Sequence, residues 1–97
     1  MTLDFNRKFK KKYKKLFVGE REKCDQRLAF FIKDPYNRLL DNHALGGKYK
    51  GYRSIDITGD LRAVYEPITQ DRAYFIIVDT HSNLYSGTNY PLTGWIL

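Results

Sequence analysis

"YRSIDITGDLRAVYEPITQDRAYFIIVDTHSNLY", residues 52–85, decides the fold. Residues 52–58 alternate, with Ile55 and Ile57 set one position off from Ser54, Asp56 and Thr58. That period of two is the pattern of a half-buried strand. Thr58-Gly59-Asp60 makes a tight turn, and residues 61–66 return as a second strand. Residues 67–72, "PITQDR", turn again, and residues 73–80, "AYFIIVDT", carry an apolar run that reads as the most buried strand. Strands joined by short turns form an antiparallel meander. One face of it is apolar, and the other is free to hold polar groups.

Working back toward the N-terminus, Thr2 to Phe5 reads as a very short strand, and Asn6 as a helix N-cap whose side chain accepts from unpaired N–H groups. Phe5, Phe9, Tyr13, Leu16 and Phe17 then recur at helical spacing and are expected to face inward. Lys8, Lys11, Lys12 and Lys15 lie on the opposite face of that helix. Gly19 marks a break. A second helix runs from about Glu20 to Lys33, with Cys24, Leu28, Phe31 and Ile32 as its inner stripe. It stops at Asp34-Pro35, because a residue before proline avoids the helical region. A short break between two helices implies an antiparallel hairpin. Residues 35–51 hold three glycines, one proline and the apolar anchors Leu39, Leu40 and Leu45, and read as an ordered loop. The expected fold class is α+β: two N-terminal helices packed on a small antiparallel sheet, as one domain over residues 1–97.

Composition bounds the function. A chain of 97 residues at 42% hydrophobic content supports one core. No apolar run approaches the roughly 20 residues of a membrane span, so no membrane partner is expected. The start "MTLDFNRKFKKK" lacks the apolar stretch of a signal peptide, and a cytoplasmic protein is expected. Cys24 is the sole cysteine, which excludes an intrachain disulfide and a cysteine metal cluster; it reads as a small buried apolar residue. Two histidines with scattered acids make no metal signature. The net charge is +6, and residues 1–23 carry all of it: nine Lys/Arg against three Asp/Glu, with eight of each in the remainder. So concentrated a positive field attracts polyanions such as nucleic acid; the alternative is a solvated helix face.

Five groups on or beside the meander carry possible chemistry: His43, Asp60, Arg62, His81 and Tyr85. Arg62 sits inside a strand, either ion-paired with Glu66 or Asp56 or placed as a rigid fork for phosphate. His81 lies at a strand exit, where an imidazole suits proton transfer or simply caps and packs. Tyr85 either stacks on an unpaired base or closes the core. His43 follows Asp41-Asn42 in the loop and alone says little. Together the set suits RNA cleavage by the 2′-hydroxyl, which needs a base, an acid and positive charge and no metal or other cofactor.

The strings "LDNHALGGKYKGYRSIDITGDLRAVYE" and "FIIVDTHSNLY" resemble the RelE/ParE superfamily of bacterial toxin–antitoxin toxins, and are most similar to its YafQ-like branch of mRNA interferases. The resemblance runs from about Phe5 to Tyr85. It rests on Gly-Tyr-Arg opening a strand, an acidic hairpin turn, and a Thr-His-x-x-Leu-aromatic close. It implies a RelE-like, microbial ribonuclease-like fold and a type II toxin that binds the ribosomal A site and cuts mRNA there, neutralised by a cognate antitoxin. By the same resemblance His43, Asp60 and His81 match acid–base positions, Arg62 a phosphate-stabilising arginine, and Tyr85 the family's C-terminal aromatic. Lys48, Lys50 and Arg53 join Tyr85, Lys8, Lys11, Lys12 and Lys15 as candidate RNA contacts, the helix lysines supplying ribosome affinity away from the strand exits.

The chain departs from the YafQ-like pattern in two places. Asp56 stands where that branch has a further histidine, which leaves proton transfer on fewer groups. Leu61 stands where it has tryptophan, which removes a stacking surface. Two other readings stay open: a ParE-like toxin that inhibits DNA gyrase by binding, and an inactive relative that keeps only antitoxin binding. Residues 86–97, "SGTNYPLTGWIL", form an extension whose Trp95, Ile96 and Leu97 are expected to pack on the domain or at a partner interface.

Overall fold

The computed structural model describes residues 1–85, apart from the side chain of Lys48; the expected packing of Trp95, Ile96 and Leu97 lies outside the described residues. Strand β1 (Thr2–Phe5) leads into helices α1 (Arg7–Lys15) and α2 (Val18–Lys33). Strand β2 (His43–Ala44) is followed by β3 (Arg53–Asp56), β4 (Leu61–Thr69), β5 (Arg72–Thr80) and the short helix α3 (His81–Tyr85). Single 3-10 turns at Arg38–Leu40 and Gly47–Tyr49 give the long loop its order.

The α+β class and the meander stand, but the sheet is mixed and has five strands, in the order β1-β5-β4-β3-β2. β1 lies parallel to β5, pairing Thr2 with Arg72 and Phe5 with Phe75. β2 adds two residues to the far edge, with His43 opposite Ser54. His43, expected in a loop, is therefore a strand residue. β4 runs on to Thr69, so the expected turn over residues 67–72 shrinks to Gln70-Asp71. Pro67 is tolerated because the register shifts between Pro67 and Thr69, where the ladder is already irregular.

Asn6 caps α1 as its chemistry requires, its side-chain oxygen accepting from the Phe9 N–H at 2.8 Å. The break between helices falls at Leu16-Phe17, before Gly19. The Glu20 carboxylate accepts from the Phe17 N–H at 2.9 Å, and that reach-back bond starts α2 at Val18. Phe17 therefore leaves the inner stripe and is 80% exposed. Ile32 and Leu39 are exposed as well, against expectation, while their neighbours Phe31 and Leu40 are buried. The Tyr13 hydroxyl donates to Asp25 at 2.6 Å and joins α1 to α2.

The helices cover one face of the sheet. Phe9, Leu16, Cys24, Phe31 and Leu40 pack against Ile55, Leu61, Tyr65, Phe75 and Val78. Burial pushes the Cys24 thiol up to about 12, consistent with a packing residue. The other face carries a smaller cluster in which Tyr49 and Leu84 cover Val64, Ile76 and Ile77.

One irregularity decides what the second face presents. Val64 pairs with Ile77 but Tyr65 pairs with Phe75, so Ile76 is an extra residue in β5. A regular strand would put Phe75, Ile77 and Asp79 on one face. The bulge instead leaves Phe75 and Val78 toward the helices and turns Ile77 and Asp79 to the other side.

Candidate active site

On that second face three charged residues stand in cross-strand register: Asp56 on β3, Arg62 on β4 and Asp79 on β5. Arg62 Nε lies 2.9 Å from an Asp56 carboxylate oxygen. Its Nη1 donates to the carbonyls of Thr58 at 3.1 Å, Gly59 at 3.2 Å and Leu61 at 3.1 Å, so the side chain wraps around the β3–β4 turn. Arg62 is thus ion-paired with Asp56, with its side chain still 19% exposed. Burial raises the Asp56 pKa, and Arg62 opposes the rise. His43 acts in the same direction as Arg62, while Asp41 adds to the rise. A carboxylate poised in this way is suited to take a proton.

His81 opens α3, exposed to solvent. Its backbone N–H donates to the Asp60 carbonyl at 2.9 Å, and its ring meets that of Tyr85 at 4.7 Å between centroids. Tyr85 stands edge-on to the buried Tyr49 ring at 5.4 Å, and the Tyr49 hydroxyl donates to the Leu84 carbonyl. Burial raises the Tyr85 phenol pKa, and the Arg62 charge opposes the rise. Asp60, Arg62, His81 and Tyr85 therefore gather at one end of the meander, with Asp56 attached through Arg62.

Two expected members, His43 and Arg53, do not join them, and the helix lysines come nearer than foreseen. His43 lies on the edge strand, its Nδ1 2.7 Å from the Asp41 carbonyl. Three strand spacings of about 4.8 Å separate β2 from β5, so His43 stands out of proton-transfer reach of His81. Arg53 points to the helix side. It donates to Asn42 at 2.8 Å and lies over the Tyr36 ring at 5.3 Å, a structural role. The helix lysines are not remote from the strand exits. Lys8, Lys11, Lys12 and Lys15 line a groove of about 180 Å³ floored by Ile77, and Lys12 Nζ is 3.4 Å from Asp79. α1 runs along β5 and so brings its basic face to the edge of the site. Lys50 is exposed in the loop before β3.

The sequence offered Asp56 as an ion-pair partner of Arg62, and the structure selects it over Glu66. Pairing about the Gly59 turn places Asp56 opposite Arg62 by hairpin arithmetic alone. Among the described residues no three His, Cys, Asp or Glu side chains are grouped to hold a metal ion, and no helix is long and apolar enough to cross a membrane.

No family model matches the chain, and no curated protein does. Solved structures do match. A YoeB/ParE toxin from Agrobacterium tumefaciens superposes with a TM-score of 0.70 at 24% identity, covering 84% of this chain and 99% of that one. A copper-bound mutant toxin from Helicobacter pylori gives 0.68 at 26%, covering 88% and 99%. YafQ in the E. coli DinJ–YafQ toxin–antitoxin complex gives 0.68 at 21%, covering 87% and 96%. The chain has the α+β fold of YafQ- and YoeB-like toxins, in line with the superfamily resemblance of its sequence.

Proposed function

We propose that this protein is the toxin of a type II toxin–antitoxin pair, and that it acts as an endoribonuclease cutting mRNA on the ribosome. The observation that carries this reading is the Asp56–Arg62 pair held at the β3–β4 turn, whose Asp60 carbonyl accepts from His81, the residue whose ring meets Tyr85. The attacking nucleophile is the 2′-hydroxyl of the RNA itself. Asp56 takes its proton, and Arg62 offsets the charge that builds on the phosphorane-like transition state. His81 delivers a proton to the leaving 5′-oxygen. Tyr85 stacks on a base and holds the strand in line. Asp60 serves through its carbonyl, which fixes the start of α3. The basic groove of α1 supplies contacts to ribosomal RNA phosphates.

A cognate antitoxin as partner is supported by the likeness to YafQ, which has been solved in complex with DinJ. The substrate sets the place of action where translation occurs, in the cytoplasm.

The test is cleavage of a defined mRNA on purified ribosomes with one codon held in the A site. Wild type is expected to cut at that codon, and His81→Ala to leave the mRNA intact. Wild type that cuts nothing but blocks gyrase supercoiling would replace this reading with inhibition by binding. Wild type that does neither while binding an antitoxin would make it an inactive relative.

A further inference from the structure

Asp79 has no part in the chemistry above, yet it is 1% exposed near the C-terminal end of β5. It ends the run Ile76-Ile77-Val78, where another apolar residue would extend the core at no electrostatic cost. A buried carboxylate persists only when paired and hydrogen-bonded. Its Oδ1 accepts from the Thr80 N–H at 2.7 Å and from the Asn83 side-chain amide at 3.0 Å. Lys12 Nζ stands 3.4 Å away on α1. The neighbouring Thr80 hydroxyl accepts from the Asn83 N–H at 3.1 Å, so two consecutive side chains hold the same residue of α3.

The five described residues of that helix are too few to persist through their own hydrogen bonds. Its first turn carries His81, and its last described residue is Tyr85. Their placement depends on what ties α3 down.

We infer that Asp79 is a positioning residue of the site. It straps the first turn of α3, and with it His81 and Tyr85, to the end of β5, with Lys12 as its counter-charge. The catalytic part of this inference rests on the nuclease reading; the strap itself does not. Arg62, the cross-strand neighbour of Asp79, is engaged with Asp56. The charge of Asp79 is therefore answered from the basic helix, and the strap joins that helix to the reacting end of the sheet.

Three variants test it: Asp79→Ala, Asp79→Asn and Asn83→Ala. Each is measured for kcat and KM on programmed ribosomes, and for the NMR cross-peak between the His81 and Tyr85 rings. Asp79→Ala and Asn83→Ala are expected to lower kcat by about 10–100-fold, the scale of a catalytic group displaced by an ångström. KM should rise as Tyr85 leaves its stacking position, and the cross-peak should weaken. Asp79→Asn keeps an oxygen for Thr80 and Asn83, and is expected to retain both the cross-peak and most of kcat. An Asn83→Ala variant that cuts like wild type with its cross-peak intact overturns the inference, even if Asp79→Ala fails to fold. Asp79→Asn as impaired as Asp79→Ala also overturns it, because the charge and not the strap would then matter. Wild type without cleavage refutes the nuclease reading instead, and the cross-peak alone then decides whether the strap exists.

Discussion

The backbone N–H of His81 donates to the carbonyl of Asp60 across 2.9 Å, which ties the β3–β4 turn to the first turn of α3. The turn also holds the Arg62 guanidinium through the Thr58 and Gly59 carbonyls. His81 and Arg62 are therefore referenced to the same turn.

His81→Ala is expected to lower cleavage by about 10²–10⁴-fold, the usual loss for one positioned proton-transfer group. The melting temperature should barely move, because the side chain is exposed. Arg62→Ala should lose comparable activity, and some stability with it, since it strands Asp56. Codon-specific cleavage and thermal melts on the same preparations check both.

Asp56→Asn separates activity from stability. Burial raises the Asp56 pKa in the folded chain. Folded protein thus holds that proton more tightly than unfolded protein, and the group costs stability as pH rises through the ordinary carboxylate range to the raised value. The variant is expected to melt above wild type at pH 7, with the gap closing as the pH falls below that range. Its cleavage should drop by about 10²-fold or more. Melts at neutral and acid pH, paired with cleavage rates, read both effects.

Arg53→Ala should behave in the opposite way. Arg53 donates to Asn42, whose amide donates to the Pro35 carbonyl and the Tyr65 hydroxyl. Removing it should cost about 1–2 kcal/mol, from the broken hydrogen bond and the vacated Tyr36 ring face. Cleavage per folded molecule should not change. Denaturant unfolding with activity normalised to folded protein measures it.

Tyr85→Phe should cut nearly as wild type, because base stacking needs the ring and not the hydroxyl. Tyr85→Ala should lose about 1–3 kcal/mol of stacking and show it as a weaker KM. Steady-state kinetics of the two variants side by side are decisive.

Changing Lys8, Lys11 and Lys15 together to Gln should flatten the salt dependence of ribosome binding, by a slope of about 0.7–0.9 for each phosphate no longer neutralised. Lys12 is kept so that Asp79 remains paired. Binding measured over a salt series gives the slope, and an unchanged slope would make the groove a solvated face.

The amino-acid pattern was enough for the two helices and the three-strand meander. Period-two alternation, helical spacing, the Asn6 cap and the Gly59 turn act between near neighbours, and backbone geometry converts each into structure directly. The segregation of charge was equally legible, as was the gathering of Asp60, Arg62, His81 and Tyr85 near the turn and the strand exit. The boundary at Leu16-Phe17 was not, because a side-chain hydrogen bond from Glu20 outweighed the breaker residue Gly19.

Tertiary structure alone decided the rest. β1 pairs with β5 between the two ends of the described chain, and nothing in residues 2–5 names that partner. The Ile76 bulge turns Asp79 from the helix side to the site side. Alternation counted along a strand cannot reveal a residue inserted against its neighbour. His43 was separated from His81, and Arg53 was turned away, by strand order and register. Lys12 gained Asp79 as its partner from a helix laid along β5. Local pattern determines which elements form. Which side chains meet depends on register and packing between distant segments, and those exist only in the folded chain.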